Sequence, residues 1–196
     1  MKVLVWQGLA GLLLLIIGLH SAIADTSVQA LGLLGRSSVE GYSVELAPAD
    51  RQWLKHKGTL RLGVSAPDYP PFDLTSSGEE LEGLTADYAA LLSQLLNVPI
   101  EVRCYPTRPL AIAALKRGEI DLLSSANGFE AADPGLVLSL AYADDSPALV
   151  TRISPREELP DDLAGLRVAM LDHYLPPESV HAFYPDATLQ LYPSTL

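Results

Sequence analysis

Between Leu60 and Ser125 the chain alternates short apolar runs with segments of helical period, and this alternation restricts the fold more than any other feature. "LRLGV" (60–64), "PIEVRCY" (99–105) and "IDLLSS" (120–125) have the length and composition of strands. "LTADYAALLSQLLN" (84–97) and "PLAIAALKRGE" (109–119) read as the intervening helices, the second closed by Gly118. Strands and helices in this order give βαβ units and a mainly parallel sheet, hence an α/β fold. In the first helix Thr85 can cap, and Tyr88, Leu91, Leu92, Leu95 and Leu96 fall three or four apart and make one apolar stripe.

The first strand runs directly into "SAPDYPPFDL" (65–74). Pro67, Pro70 and Pro71 fix φ and lack a backbone donor, so neither a helix nor a central strand continues, and the chain holds a stiff loop. Functional residues concentrate on loops held by a rigid scaffold, which makes Tyr69 and Phe72 candidates for a ligand wall. The residues alone equally allow them to plug the end of a core. A hairpin tip follows at "TSSGEE" (75–80).

The N-terminus reads as an export signal: Met1-Lys2, an apolar run over 3–19 broken by Gln7, and the small-x-small ending Ala22-Ile23-Ala24. Cleavage after Ala24 would place the chain in the periplasm, the alternative being a retained anchor. Without Lys2 the chain has 12 basic against 24 acidic residues, a net charge of −12. No Lys and Arg clusters suit nucleic-acid phosphates, and that class of partner is excluded. The acidic pairs read as solvated loops or helix starts. An exported chain with one cysteine has no internal disulfide, and Cys104, inside a strand, reads as a buried inert thiol.

Residues 25–47 are weakly periodic and read as a lead-in outside the core; "APADRQWLKHK" (47–57) then makes a short helix with Pro48 at its first position. After Phe129 a long loop leads to an expected strand at 147–151, and 154–162 looks like a connector. "LRVAML" (166–171), "PPESVHAFY" (176–184) and "ATLQLY" (187–192) read as strand, helix and strand, too little to form a domain of their own.

The segment from "LRLGVSAPDYPPFDL" through "LTADYAALLSQLLNVPIEV" to "ALKRGEIDLL" resembles the extracellular solute-binding domains of bacterial family 3, the Venus flytraps. The lead-in "LAPADRQWLKHKGTLRLGV" looks most like the N-terminal periplasmic sensor domain of hybrid sensor histidine kinases. The resemblance implies a type II periplasmic-binding-protein fold. Residues 48–153 would form a largely complete first lobe, 154–162 the interlobe connector, and 163–196 a partial second lobe of a truncated chain.

It also implies a ligand set facing the interlobe cleft: Tyr69 and Phe72 as wall, Asp87 of the Gly83-x-x-x-Asp87 pattern, and Ser125, Asn127 and Phe129 as neutral hydrogen-bonding groups and a ring. Read without the resemblance, Asp87 is a helix-start charge and the last three are a polar loop with one core aromatic. Asp121 would be structural, tying a strand end to neighbouring backbone. Amino-acid binders of the family carry an arginine in the segment that here reads "ANGFEAADPG", where Ala132 stands and no Lys or Arg occurs between Gly118 and Val150. A buried carboxylate needs a cationic partner, so binding of ordinary α-amino acids is not expected in this lobe.

The expected function is a periplasmic solute-binding or sensor module that closes on a small solute and signals to an inner-membrane sensor kinase. The alternatives are the binding subunit of an amino-acid-type importer and a dehydratase or lytic-transglycosylase-associated domain of the same fold. No nucleophile elbow, H-E-x-x-H pair or phosphate loop is present, no metal or cofactor is called for, and an enzyme is not expected. His173 in "LDHYLPP" is the histidine that could face the cleft. The isolated chain is expected to be marginally stable or to self-associate, with "LRVAML" leaving a strand edge unpaired.

Overall fold

The computed structural model describes residues 27–75, 77–132, 135–144, 148–152, 159–172 and 174–192. The leader, the first two lead-in residues, most of the connector and His173 lie outside them. The strand after the lead-in helix is apolar almost without a break because both its faces are covered. This is β2, Leu60–Ser65. It pairs in parallel with β4, Ile100–Tyr105, in register from Leu60 opposite Ile100 to Ser65 opposite Tyr105, and on its other side with β5, Leu122–Leu123. Helix α1, Pro48–Lys57, starts on proline as expected and packs Leu54 against Leu60 and Val98.

The lead-in corrects the sequence reading. Residues Gln29–Leu33 form β1, which enters the sheet antiparallel to β4 with Leu31 opposite Val102, and parallel to β3, Glu80–Leu81. The five strands run in the order β3-β1-β4-β2-β5. Leu31 is buried with Leu62, Val64, Leu81, Ala86, Ala89, Val102 and Cys104, so β1 belongs to the core. The physical reason lies in β4, whose outer edge would otherwise present unpaired N–H and C=O groups. After β1 the chain crosses the helix over Leu84–Leu96 at Gly35, where a Cβ would sit 2.2 Å from that of Ala90.

Helix α2, Leu84–Leu96, buries Thr85, Ala86 and Ala89. The expected leucine stripe is not the buried face: Tyr88 and Leu92 are each 41% exposed. Small residues let the helix come close to β1 and Gly35, which turns the bulky positions outward. Thr85 does not cap. Gly83 is the N-cap, and the carbonyls of Pro71 and Phe72 accept from the N–H groups of Leu84 (3.1 Å) and Thr85 (3.2 Å), satisfying two of the helix's orphan donors. The proline turn and the start of α2 are therefore one unit.

Helix α3, Arg108–Lys116, packs Ala111 and Ala114 with Tyr105 and Ile120. Asp121 does what was expected of it, accepting from the backbone N–H of Arg61 at 2.9 Å and from Lys57 Nζ at 2.5 Å. Cys104 is a buried free thiol, and burial pushes its pKa up, away from the reactive thiolate. Strands β6, Arg167–Leu171, and β7, Thr188–Tyr192, pair in parallel around α4, Pro177–Phe183. The strand expected at 147–151 is not found over Ala148 to Thr151, where Leu149 and Val150 are exposed and no strand lies alongside among the described residues; Pro147 lies outside them.

Candidate functional site

The turn after β2 is stiffened by its own backbone. Tyr69 N–H donates to Asp73 O (2.7 Å), Phe72 and Asp73 N–H donate back to Tyr69 O (2.8 and 3.0 Å), and Asp68 Oδ1 accepts from Thr75 N–H (2.6 Å) and its hydroxyl (2.9 Å). This geometry stacks the Tyr69 and Phe72 rings, with centroids 5.5 Å apart and planes 17° from parallel. Tyr142 meets Phe72 edge-on at 6.3 Å and Tyr88 at 4.7 Å. The Tyr142 hydroxyl lies 3.2 Å from that of Thr85, and Tyr88 OH donates to Tyr142 O.

The rings of Tyr69, Phe72 and Tyr142 wall a pocket of about 160 Å³. An engineered cavity of roughly that volume accepts benzene, which sets the scale of what fits. Ser65, Asp73, Ser125, Asn127, Arg108 and Glu130 supply its polar lining, and Leu171 and Tyr174, at the end of β6 and just after it, close the opposite side.

Asp73 is 3% exposed. Its Oδ2 accepts from Ser124 Oγ (2.8 Å) and Ser125 Oγ (3.1 Å), while Oδ1 has no hydrogen-bond partner among the described residues. Burial pushes the carboxyl above its ordinary range, against the opposing pull of the Thr85, Ser124 and Ser125 hydroxyls and the charge of Arg108. Arg108 is the first residue of α3. Its Nε donates to Glu130 Oε1 at 2.7 Å and its Nη2 to Oε2 at 2.9 Å, with both side chains 6% exposed. Glu130 Oε2 also accepts from Asn127 N–H (3.1 Å).

Asn127 organises the loop. Its Oδ1 accepts from Phe129 N–H (2.9 Å) and Glu130 N–H (3.0 Å), the start of a 3-10 turn over Glu130–Ala132. Its Nδ2 donates to Tyr174 O at 3.2 Å, linking the first sheet's loop to the segment after β6. Two donors on one side and a carbonyl on the other fix which way the amide points.

Of the residues singled out in the sequence, Tyr69, Phe72, Ser125 and Asn127 come together around the pocket. Asp87 and Phe129 do not. Asp87 Oδ1 accepts from Arg36 N–H at 2.6 Å and so fastens the chain after β1 to the start of α2, while Phe129 is half exposed. Ala132 sits in the 3-10 turn and supplies no charge, but the pocket does hold a cation, Arg108, which comes from a different element. Sequence reasoning missed Asp73, Arg108, Glu130 and Tyr142. One signal was available: an arginine in the first turn of a helix opposes the macrodipole, so it needs a carboxylate from elsewhere. Among the described residues no cluster of His, Cys, Asp and Glu could hold a metal ion.

No protein-family model matches the chain. It is 46% identical over 167 residues to the virulence sensor protein BvgS of Bordetella bronchiseptica, an alignment covering 85% of this chain and 13% of that protein. Among solved structures, the periplasmic domain of Bordetella pertussis BvgS superposes with a TM-score of 0.67 at 43% identity, over 85% of this chain and 32% of that one. The periplasmic VFT2 domain of the same protein gives a TM-score of 0.66 at 21% identity, over 77% and 64%. The chain thus spans about an eighth of the length of the curated relatives it matches.

Proposed function

This chain belongs to the Venus-flytrap domains that stand in the periplasmic region of sensor proteins such as BvgS, and from that premise we propose that it binds a small solute in its pocket and reports occupancy to a membrane-bound sensor kinase. One observation carries the reading: the pocket is built from both sheets' segments, with Tyr69, Phe72 and Asn127 on one side and Leu171 and Tyr174 on the other. A solute touching both sides favours the arrangement in which both are in contact with it. It shifts the balance between open and closed forms by its difference in affinity for the two.

The identity with the whole BvgS periplasmic domain, 43%, is twice that with its VFT2 domain, 21%, and on that ground we read the chain as the counterpart of a flytrap other than VFT2. Export through the leader, with cleavage after Ala24, would deliver it to the periplasm. We read the pocket as binding rather than catalytic. Of the two carboxylates among its described lining residues, Glu130 is held by the Arg108 fork and Asp73 accepts from the Ser124 and Ser125 hydroxyls, so we read both as anchors of the pocket wall.

A thermal-shift screen of the purified chain against neutral, ring-sized solutes tests this. A true ligand at a hundred times its Kd adds about 2.7 kcal/mol, a rise of roughly 5–10 °C for a chain of this size. The rise should be lost in Tyr69→Ala and Phe72→Ala. Failure of every solute to stabilise the protein, or chemical turnover of one that binds, would overturn the reading.

A further inference from the structure

Resting on the binding function above, we propose that Glu130 is a built-in carboxylate that fills the fork of Arg108 and thereby bars carboxylate-bearing solutes from the pocket. A guanidinium recognises a carboxylate through two parallel N–H···O bonds, and in Arg108 that pair, from Nε and Nη2, is already made to Glu130 at 2.7 and 2.9 Å. The occupant is itself held. Asn127 donates its backbone N–H to Glu130 Oε2, and the Asn127 side chain accepts from the Glu130 N–H, so backbone and carboxylate are locked together.

An incoming carboxylate has two routes, and both are unfavourable. Displacing Glu130 would strand a carboxylate that is 6% exposed, and leaving it in place would add a third carboxyl group beside Glu130 and Asp73. Arg108 is the only cation among the described lining residues, so no surplus positive charge remains. What is left for a solute is the stacked face of Tyr69 and Phe72, the edge of Tyr142, and the hydroxyls of Ser65 and Ser125. That set suits a neutral, ring-sized molecule with hydrogen-bonding groups.

If Glu130 is the occupant, removing it should create an anion site. Arg108 would then stand unpaired at the pocket, at a helix N-terminus that already favours negative charge. The experiment is calorimetric and thermal-shift titration of the full chain with sodium acetate and sodium benzoate, against sodium chloride at equal ionic strength. Wild type, Glu130→Ala, Glu130→Gln and the double variant Arg108→Met/Glu130→Ala are compared. Glu130→Gln fills the same volume and keeps one acceptor, so it serves if the alanine variant does not fold.

The expected result is at least a tenfold gain in acetate and benzoate affinity in the Glu130 variants over wild type, abolished in the double variant. Wild type binding either anion as tightly as the variants, or a gain that survives loss of Arg108, would overturn the proposal. The neutral-solute screen separates this from the binding function: anion gain in Glu130→Ala with no neutral ligand for wild type would sink the binding function and leave the occupied fork standing. Neutral binding without anion gain would do the reverse.

Discussion

Replacing Gly83 by alanine should destabilise the protein by about 3–5 kcal/mol, and the sum can be followed contact by contact. Gly83 has φ 97° and ψ −172°, a region that glycine alone enters freely, and placing another residue there costs roughly 1–3 kcal/mol. Its added Cβ would lie 2.4 Å from Phe72 O and 2.7 Å from Pro71 O, against the 3.0 Å that real Cβ contacts respect. Both atoms are backbone, so the proline turn must withdraw. The same two carbonyls cap α2, and each lost cap bond removes about 1 kcal/mol. Gly118→Ala is the control. Its φ is also positive, at +71°, but nothing lies within 4 Å of the new Cβ, and only the conformational cost of about 1 kcal/mol applies. Urea and thermal unfolding of the two variants should differ by roughly 5–15 °C in midpoint for a chain of this length. Midpoints equivalent to within about 1 kcal/mol would refute the coupling of turn and helix.

Burial raises the Asp73 carboxyl above its unfolded value of 3.8, so the native state holds that proton more tightly than the unfolded chain. The stabilisation due to this group is complete below the unfolded value and is lost as pH rises through the native one. Asp73→Asn should flatten the fall in stability that begins as pH rises above the unfolded value of 3.8, with its advantage over wild type growing as pH rises, in denaturant titrations at several pH values; an unchanged slope would contradict this. Leu31→Ala should cost about 2–4 kcal/mol and speed hydrogen exchange of the β4 amides, because Leu31 is core and faces Val102. A loss near zero would return β1 to the status of a loose lead-in. Asp121→Ala should cost about 1–2 kcal/mol, with Asp121→Asn recovering part of it by keeping the acceptor for Arg61 N–H; equal losses in the two would assign the effect to Lys57 alone.

The parallel core of the first sheet was legible because β2, β4 and the helices carry their period in their own residues. Three features were not, each for a physical reason. Strand β1 has a glycine in five residues and gains its order from an edge of β4 more than 60 residues away, a contact no local pattern encodes. The buried face of α2 was misread because alanines, which hydrophobicity ranks low, win where another backbone passes close at Gly35. The cation of the pocket was sought near residue 132 but arrives from the start of α3, paired across 22 residues with Glu130. The proline turn, by contrast, declared itself: its stiffness and its aromatic display are both properties of the residues.

The most direct test of solute binding between the two sides is 19F NMR of the purified chain carrying 3-fluorotyrosine, titrated with any neutral solute found to stabilise it. Tyr69 stands on one wall and Tyr174 on the other, each assigned by substitution to phenylalanine. The expected result is that both resonances move together with a single Kd and that Asn127→Ala, which removes the bridge to Tyr174 O, weakens the coupling of the second to the first. Movement of Tyr69 alone, or of neither while the solute still stabilises the protein, would contradict a site that closes across the pocket.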